Sequence, residues 1–569
     1  MELSGIAAAP GVAIGPVWRH AAGMGTGNPV PDAHVAAERA STELMALAAR
    51  VRAAGRAGDA AIFEAQAMMA LDPMLLAAIA DRAARDPSLS TPPTPDQVAA
   101  LVEAVAGEQA DTIAALEDER LAARAADVRD VGARIVRIVA GRSIALPDVP
   151  SIAIADDLPP SIAAEIDDGK LLGIALERGS VTSHAAILAR GLGIPAVVGT
   201  RGLLPAAGEH RMAAVDGDAG RVIFDPTEDE LRALKAVVEQ RHAAGAAARA
   251  LRGQPGQTAD GHRIELLANI GRPEEVDRAL EAGAEGVGLF RTEFLFVGRA
   301  AAPSEDEQAD AYRRVLEAFG ERPVVIRLLD VGGDKPLPYL RLAPEPNPFL
   351  GIRGLRLAHQ HREVLLEQVR AIARAGAALP VAPRLMAPMV ATIEDVELLH
   401  ELVAAALAEL DRRTVARAAR LEVGIMIEVP SAVLLAAELA QRVDFFSIGS
   451  NDLTQYVLAM DRTHPELASA ADALHPAVLR AIRATVDGAA SSGIEVAVCG
   501  ELGGDPLGAL VLAGFGIGSL SMDAGRLDDV RLALSRLTLA QLQDIARAAL
   551  AATTADEVRS IVRANSTPT

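Results

Sequence analysis

Aromatic side chains are scarce, at 2% of residues, with one tryptophan, three tyrosines and ten phenylalanines. Excess positive charge is missing as well: 55 lysines and arginines stand against 76 aspartates and glutamates, a net charge of −21. A nucleic-acid surface needs basic patches and stacking rings, so that class of function is excluded. Any anionic ligand must instead be held by arginines gathered locally. The single cysteine, Cys499, rules out an internal disulfide and fits a reducing compartment; its thiol is either buried and inert or used chemically. No charge-free run free of glycine and proline reaches the length of a membrane span. The first residues lack the basic leader of a signal peptide and are interrupted by Gly5, Pro10 and Gly11, so they read as a strand and turn. A cytoplasmic protein without membrane insertion is expected.

What is present is length and apolar material: 569 residues, half of them hydrophobic. At roughly one domain per 100–200 residues this implies several cores. Residues 32–141 are almost wholly helical in pattern, rich in Ala, Glu and Arg, with Pro92, Pro93 and Pro95 in separating loops. Around this bundle the character changes to short strands and turns, so that 1–21 and 145–226 read as one α/β domain interrupted by the helical insert. A charged helix and a Gly/Pro-rich tail over 227–260 read as a linker and hinge. From 261 to 569 eight apolar runs alternate with helical patterns, the number that closes a (β/α)₈ barrel.

The stretch G-S-V-T-S-H-A-A-I-L-A-R-G-L-G-I-P, residues 179–195, places His184 in the first turn of a short helix. Thr182 or Ser183 is its cap, Ala186, Ile187 and Leu188 its inner side, and Gly191, Gly193 and Pro195 its end. Backbone N–H groups converge there and favour an anion by about 0.3–1 kcal/mol. An imidazole that acquires a phosphoryl group would find donors already in place.

In the barrel the predicted strand ends carry Asn269, Arg291, Arg327, the 386–389 stretch, Glu428, Asn451 with Asp452, and Cys499 with Glu501. Taken singly, Arg291 and Glu293 read equally well as a surface pair, and D-V-G-G-D-K (330–335) as a tight loop. Together, arginines from neighbouring strands, two carboxylates and an asparagine make a site for a polyanion with a divalent metal. Guanidinium forks suit phosphate oxygens, and hard carboxylates suit Mg²⁺.

The blocks R-T-E-F-L-F (291–296), I-R-L-L-D-V-G-G-D-K (326–335), N-P-F-L-G-I-R (347–353), I-M-I-E-V-P-S-A (425–432), F-S-I-G-S-N-D-L-T-Q-Y (446–456), D-R (461–462) and V-C-G-E-L-G-G-D-P (498–506) resemble the signatures of the phosphoenolpyruvate-utilising enzymes. T-S-H-A-A-I-L-A-R resembles their phosphohistidine segment, and the order of all blocks resembles Enzyme I of the sugar phosphotransferase system along essentially the whole chain. The resemblance implies a multidomain α/β protein: a swivelling phosphohistidine domain with an inserted helical bundle, then a C-terminal TIM barrel. It implies that Arg291, Arg327 and Arg462 grip the phosphate of phosphoenolpyruvate (PEP), assisted by Asn451, with Arg353 and Lys335 near the substrate. Glu428 and Asp452 would hold Mg²⁺, Cys499 would protonate the departing enolate, and His184 would be nucleophile and carrier. The partner implied is the carrier protein HPr, docked on the insert near an apolar series from Phe63 to Ile79, and the barrel would form a homodimer. Gly179 is followed by Ser180 and Val181 where the family shows two glycines. Rival readings are a PEP synthase or pyruvate phosphate dikinase, for which no P-loop or ATP-grasp segment is visible, and a regulatory phosphoprotein without catalysis.

Overall fold

The computed structural model describes residues 1–566 except 20–27, 54–56, 116–123, 143–145, 167–168, 181–182, 209, 333–336, 338, 341, 344, 465–466 and 469. The chain forms two compact units, Met1–His242 and Ala243–Thr569.

In the first unit, β1 (Glu2–Ser4), β2 (Ile6–Ala9) and β3 (Val12–Arg19) precede, among the described residues, five helices: α1 (Ala33–Ala53), α2 (Ala57–Ala70), α3 (Pro73–Arg85), α4 (Pro95–Ala114) and α5 (Ala125–Val139). Pro95, expected in a loop, opens α4. Its missing N–H is harmless in a first turn, and Thr94 and Gln97 close a reciprocal cap around it. Leu44, Phe63, Leu75, Ile79, Val102 and Ile135 meet in the bundle core. The segment Ala60–Arg85 has the length and composition of a membrane span. It is broken at Leu71 and Asp72, where Asp72 caps α3 ahead of Pro73, and Phe63, Leu75 and Ile79 along it are core residues.

The chain then returns to the sheet through β4 (Ser151–Ala155), the short α6 (Pro160–Ala163), β5 (Leu171–Leu176), α7 (His184–Leu192), β6 (Ala196–Val198), β7 (Met212–Asp216) and β8 (Arg221–Phe224). Sheet order is β1-β8-β7-β3-β4-β5-β6-β2, parallel from β3 through β6 and antiparallel at both flanks. Small residues let α7 lie close: Ala185, Ala186 and Ala189 are buried beside Ile174 and Val198. The division between the units falls inside α8 (Glu228–Ala250).

The second unit is a closed barrel. Its strands are β9 (Glu265–Ile270), β10 (Val287–Arg291), β11 (Val324–Arg327), β12 (Arg384–Ala387), β13 (Glu422–Ile427), β14 (Phe445–Ile448), β15 (Glu495–Val498) and β16 (Ser519–Met522). All eight pairings are parallel, and β9 pairs with both β10 and β16 to close the ring. Each of the eight predicted apolar runs overlaps one of these strands. Two surrounding helices matter below, α9 (Glu305–Phe319) and α10 (Ala358–Ala375).

Candidate active site

Parallel pairing sets Arg291 and Arg327 side by side, since they are register partners at the ends of β10 and β11. Arg327 is buried, with Nη2 2.7 Å from Glu293 Oε1 and Nη1 3.2 Å from Asp330 Oδ2. Arg353 arrives from the loop between β11 and α10. It donates to both Asp330 oxygens at 3.1 and 2.8 Å and to Asp452 Oδ1 at 2.9 Å. The other Asp452 oxygen accepts from Arg462 Nη1 at 3.0 Å, and the ring of Phe349 lies 5.8 and 5.3 Å from the guanidinium carbons of Arg353 and Arg462. The result is one alternating line, Glu293–Arg327–Asp330–Arg353–Asp452–Arg462. Burying a charge is costly unless it is paired, and each group here compensates the next. Arg291 stands outside the line. Among the described residues its guanidinium has no hydrogen bond or ion pair, although it lines the same cavity of about 280 Å³ as Arg327, Glu428, Asn451, Asp452 and Cys499.

Glu428 follows β13 and is buried, with Oε1 accepting from the Met389 backbone N–H at 2.7 Å. Burial pushes its pKa up, and the charges of Asp452 and Asp330 push it further. A side chain at Gly449 would meet Glu428 Oε2 at 2.7 Å, so only glycine allows this approach. Cys499 rests on Leu289, Val325, Met386, Met426 and Phe445. Burial pushes its thiol up to about 11, which keeps it protonated at neutral pH. Asn269 donates to the Cys499 carbonyl at 3.1 Å and accepts from Ser521 at 2.6 Å. Asn451 Oδ1 accepts from the Glu501 N–H at 2.8 Å.

Among the described residues no three His, Cys, Asp or Glu side chains gather as a ready-made metal cage. Mg²⁺, however, commonly takes one or two carboxylates plus water and substrate phosphate. The crowding of Glu428 against Asp452 and Asp330 is a concentration of negative charge that a cation at the cavity would relieve, so the residues present fit such an ion.

The barrel-mouth residues named from the sequence are therefore brought together, except Lys335, which lies outside the described residues. Sequence reasoning passed over Glu293 and Asp330. Glu293 was weighed as a surface partner of Arg291, but it is buried and serves Arg327. Asp330, weighed as part of a tight loop, joins two arginines. The only available signal was their position within two or three residues of strand-end arginines.

In the first unit, His184 is the first residue of α7; its side chain lies outside what is described. Ser183 is the cap, accepting from Ala186 N–H at 3.4 Å, and Gly193 ends the helix at φ 68°. Ile187, expected on the inner side, is 50% exposed. The helix turns its alanines inward, where they pass closest to the sheet.

Three family models match the chain: the PEP-utilising enzyme N-terminal region over residues 4–124, the mobile domain over 147–220, and the PEP-binding domain over 245–539, just over half of the chain. The chain belongs to the PEP-utilising enzymes. This member is 44% identical to a phosphoenolpyruvate-protein phosphotransferase of Streptomyces coelicolor, across 99% of this chain and 98% of that one. It is 42% identical to a multiphosphoryl transfer protein of Xanthomonas campestris pv. campestris and 47% identical to one of Rhodobacter capsulatus, over 98% and 80% of this chain. The matches span 66% and 55% of the length of those two proteins. PEP-utilising enzymes work with a divalent metal ion.

Proposed function

We propose that this chain transfers the phosphoryl group of PEP to His184 and from there to a histidine of a small carrier protein of the HPr type, releasing pyruvate. The observation that carries the reading is Arg291: a guanidinium with no hydrogen bond or ion pair among the described residues, in one cavity with a charge-compensated line of arginines and a thiol held protonated. Such a cavity suits an anion that arrives with a cation.

In this reading Arg291 and Arg327 take the phosphate oxygens, and Arg462 and Asn451 complete the grip. Arg353 holds Asp330 and Asp452 in place, and Lys335 lies near the substrate. Glu428 and Asp452 would hold Mg²⁺, which when bound supplies positive charge to the phosphate and the enol oxygen. A lone pair on the His184 imidazole forms the N–P bond as the bridging P–O bond breaks, and the electron pair leaves on the enol oxygen. As the enolate collapses to the ketone, its terminal carbon takes the proton of Cys499, and the thiolate regains one from water.

His184 belongs to one compact unit and the arginine line to the other. Turnover therefore requires His184 to visit the barrel mouth and then the carrier, with 1–21 and 145–226 as the travelling domain and 227–260 as the joint. The insert, 32–141, offers the carrier Met68 (71% exposed), Met74 (77% exposed) and Leu71 at the turn between α2 and α3. The barrel, 261–569, would carry the contact of a homodimer, away from the mouth that His184 must reach. The one cysteine is buried and unpaired, in keeping with the cytoplasm.

The test is incubation of the purified protein and Mg²⁺ with PEP carrying labelled phosphorus. Acid-labile label is expected on the wild type and none on His184→Ala. Label that persists in that variant, or that appears only with ATP as donor, overturns the reading. Chasing the labelled protein with candidate carrier proteins identifies the acceptor.

A further inference from the structure

The cavity explains what the two adjacent arginines face but not what fixes their spacing. Thr292 follows Arg291 just past the end of β10, where the backbone has turned helical (φ −69°, ψ −19°), and it is fully buried. Its hydroxyl donates to the Arg327 carbonyl at 2.8 Å. Above it in α10 lies Gln368, also fully buried. The Gln368 amide donates to Thr292 Oγ1 at 3.0 Å and to the Tyr312 hydroxyl at 3.1 Å, and its oxygen accepts from the Leu329 N–H at 2.8 Å. Tyr312, on α9, donates in turn to Gln308 at 3.2 Å, and Gln308 donates to the Pro303 carbonyl at 3.0 Å.

One amide thus holds the chain at two points immediately after the Arg327 side chain, at the Arg327 carbonyl through Thr292 and at the Leu329 N–H. Through Thr292 it also holds the residue after Arg291. No member of the network faces the cavity, and all lie in a dry layer where a lost partner leaves a buried donor unsatisfied. We propose that Gln368 is a positioning residue for PEP, acting through Thr292 to set the separation of the Arg291 and Arg327 guanidinium groups. The proposal rests on the reading of these arginines as the phosphate grip.

The test uses the full-length chain and four variants: Gln368→Met, which keeps the shape without the amide, Thr292→Val, which is isosteric without the hydroxyl, Thr292→Ser, which keeps the hydroxyl, and the double variant Gln368→Met/Thr292→Val. Small displacements of a grip are felt strongly, so Gln368→Met and Thr292→Val are expected to raise KM for PEP on the order of tenfold. kcat should move far less than KM, because the grip acts on bound substrate and transition state alike. Thr292→Ser is expected to retain the wild-type KM. The double variant should be no worse than the poorer single one, because both cut the same link. Melting temperatures are read in parallel. A lowered melting temperature with KM unchanged in Thr292→Val, or KM increases that multiply in the double variant, overturns the proposal. A wild type that takes no label from PEP overturns the parent reading instead, whereas labelled wild type beside variants with unchanged KM overturns this inference alone.

Discussion

The two ends of the barrel use the same kinds of charged residue to opposite effect. At the floor, the first residues of six strands meet. Arg384 reaches Glu422 at 3.2 Å and Glu495 at 2.7 Å and lies 4.1 Å over the Phe445 ring, while Ser519 bonds Glu495 at 2.8 Å and Glu265 at 3.3 Å. The charge of that arginine is paired with two protein carboxylates. At the mouth, the line from Glu293 to Arg462 is likewise satisfied, but Arg291 beside it is not. A barrel floor has only to close, whereas a mouth that receives a polyanion must hold positive charge in reserve. The lesson is that a count of charges does not locate a site; an arginine without a partner at a strand end, inside a cavity of paired charges, points to one.

Four substitutions would break or sharpen this contrast. The largest effect is expected at Cys499→Ala, which removes the proposed proton donor while leaving the arginines in place: pyruvate formation should fall by about 10²–10⁴, the usual worth of a positioned acid. Pyruvate release measured in a coupled assay checks it, with the melting curve as control. Next is Arg384→Met at the floor. Breaking a fully buried pair costs about 3–5 kcal/mol, and because Glu422 and Glu495 are partly exposed we expect about 2–3 kcal/mol less stability in denaturant unfolding. KM for PEP should not change.

Arg291→Met at the mouth is expected to do the reverse. Loss of a charge-assisted hydrogen bond worth about 1.5–3 kcal/mol should raise KM for PEP by about 10- to 150-fold with no loss of unfolding free energy. If both arginine variants lowered stability alike, the distinction between floor and mouth would collapse. The smallest effect is expected at Glu265→Gln. Burial raises the Glu265 pKa above its ordinary 4.5, and the charge of Glu495 raises it further. An acid whose folded-state pKa is raised favours the fold when protonated, and that contribution is lost as pH rises through the folded-state value. The neutral amide should therefore be stabilising at pH 7, with the gain fading as pH falls below the ordinary carboxyl range. Melting temperature as a function of pH reads this directly.

Much of the site was legible because a barrel with short strands brings strand ends together wherever they fall in the chain. Eight apolar runs were enough to place Arg291, Arg327, Glu428, Asn451 and Cys499 at one mouth. A cap at Thr182 or Ser183 and an end near Gly191 and Gly193 are legible too, because both depend on local backbone chemistry; the structure selects Ser183 and Gly193. Pairing across the chain was not. Arg353 meets Asp452 across 99 positions, Gln368 meets Thr292 across 76, and nothing in helix periodicity distinguishes a glutamine that bonds two strand ends from one that faces water. The inward face of α7 was misjudged for a related reason: Ile187 has the greater hydrophobicity, but only alanine fits between that helix and the sheet.

Sequence alone determined the alternation of elements in the barrel, which arginines, carboxylates and thiol stand at its strand ends, and the helix start on which His184 stands, since periodicity and capping act over a few positions. Only the tertiary structure decided that Arg291, at the barrel mouth, is left without a partner among the described residues, how far burial lifts the Cys499 thiol, and which buried amide ties two strand ends together. Those properties belong to distances between remote segments and to the absence of water around them, and neither is written in any one stretch of the chain.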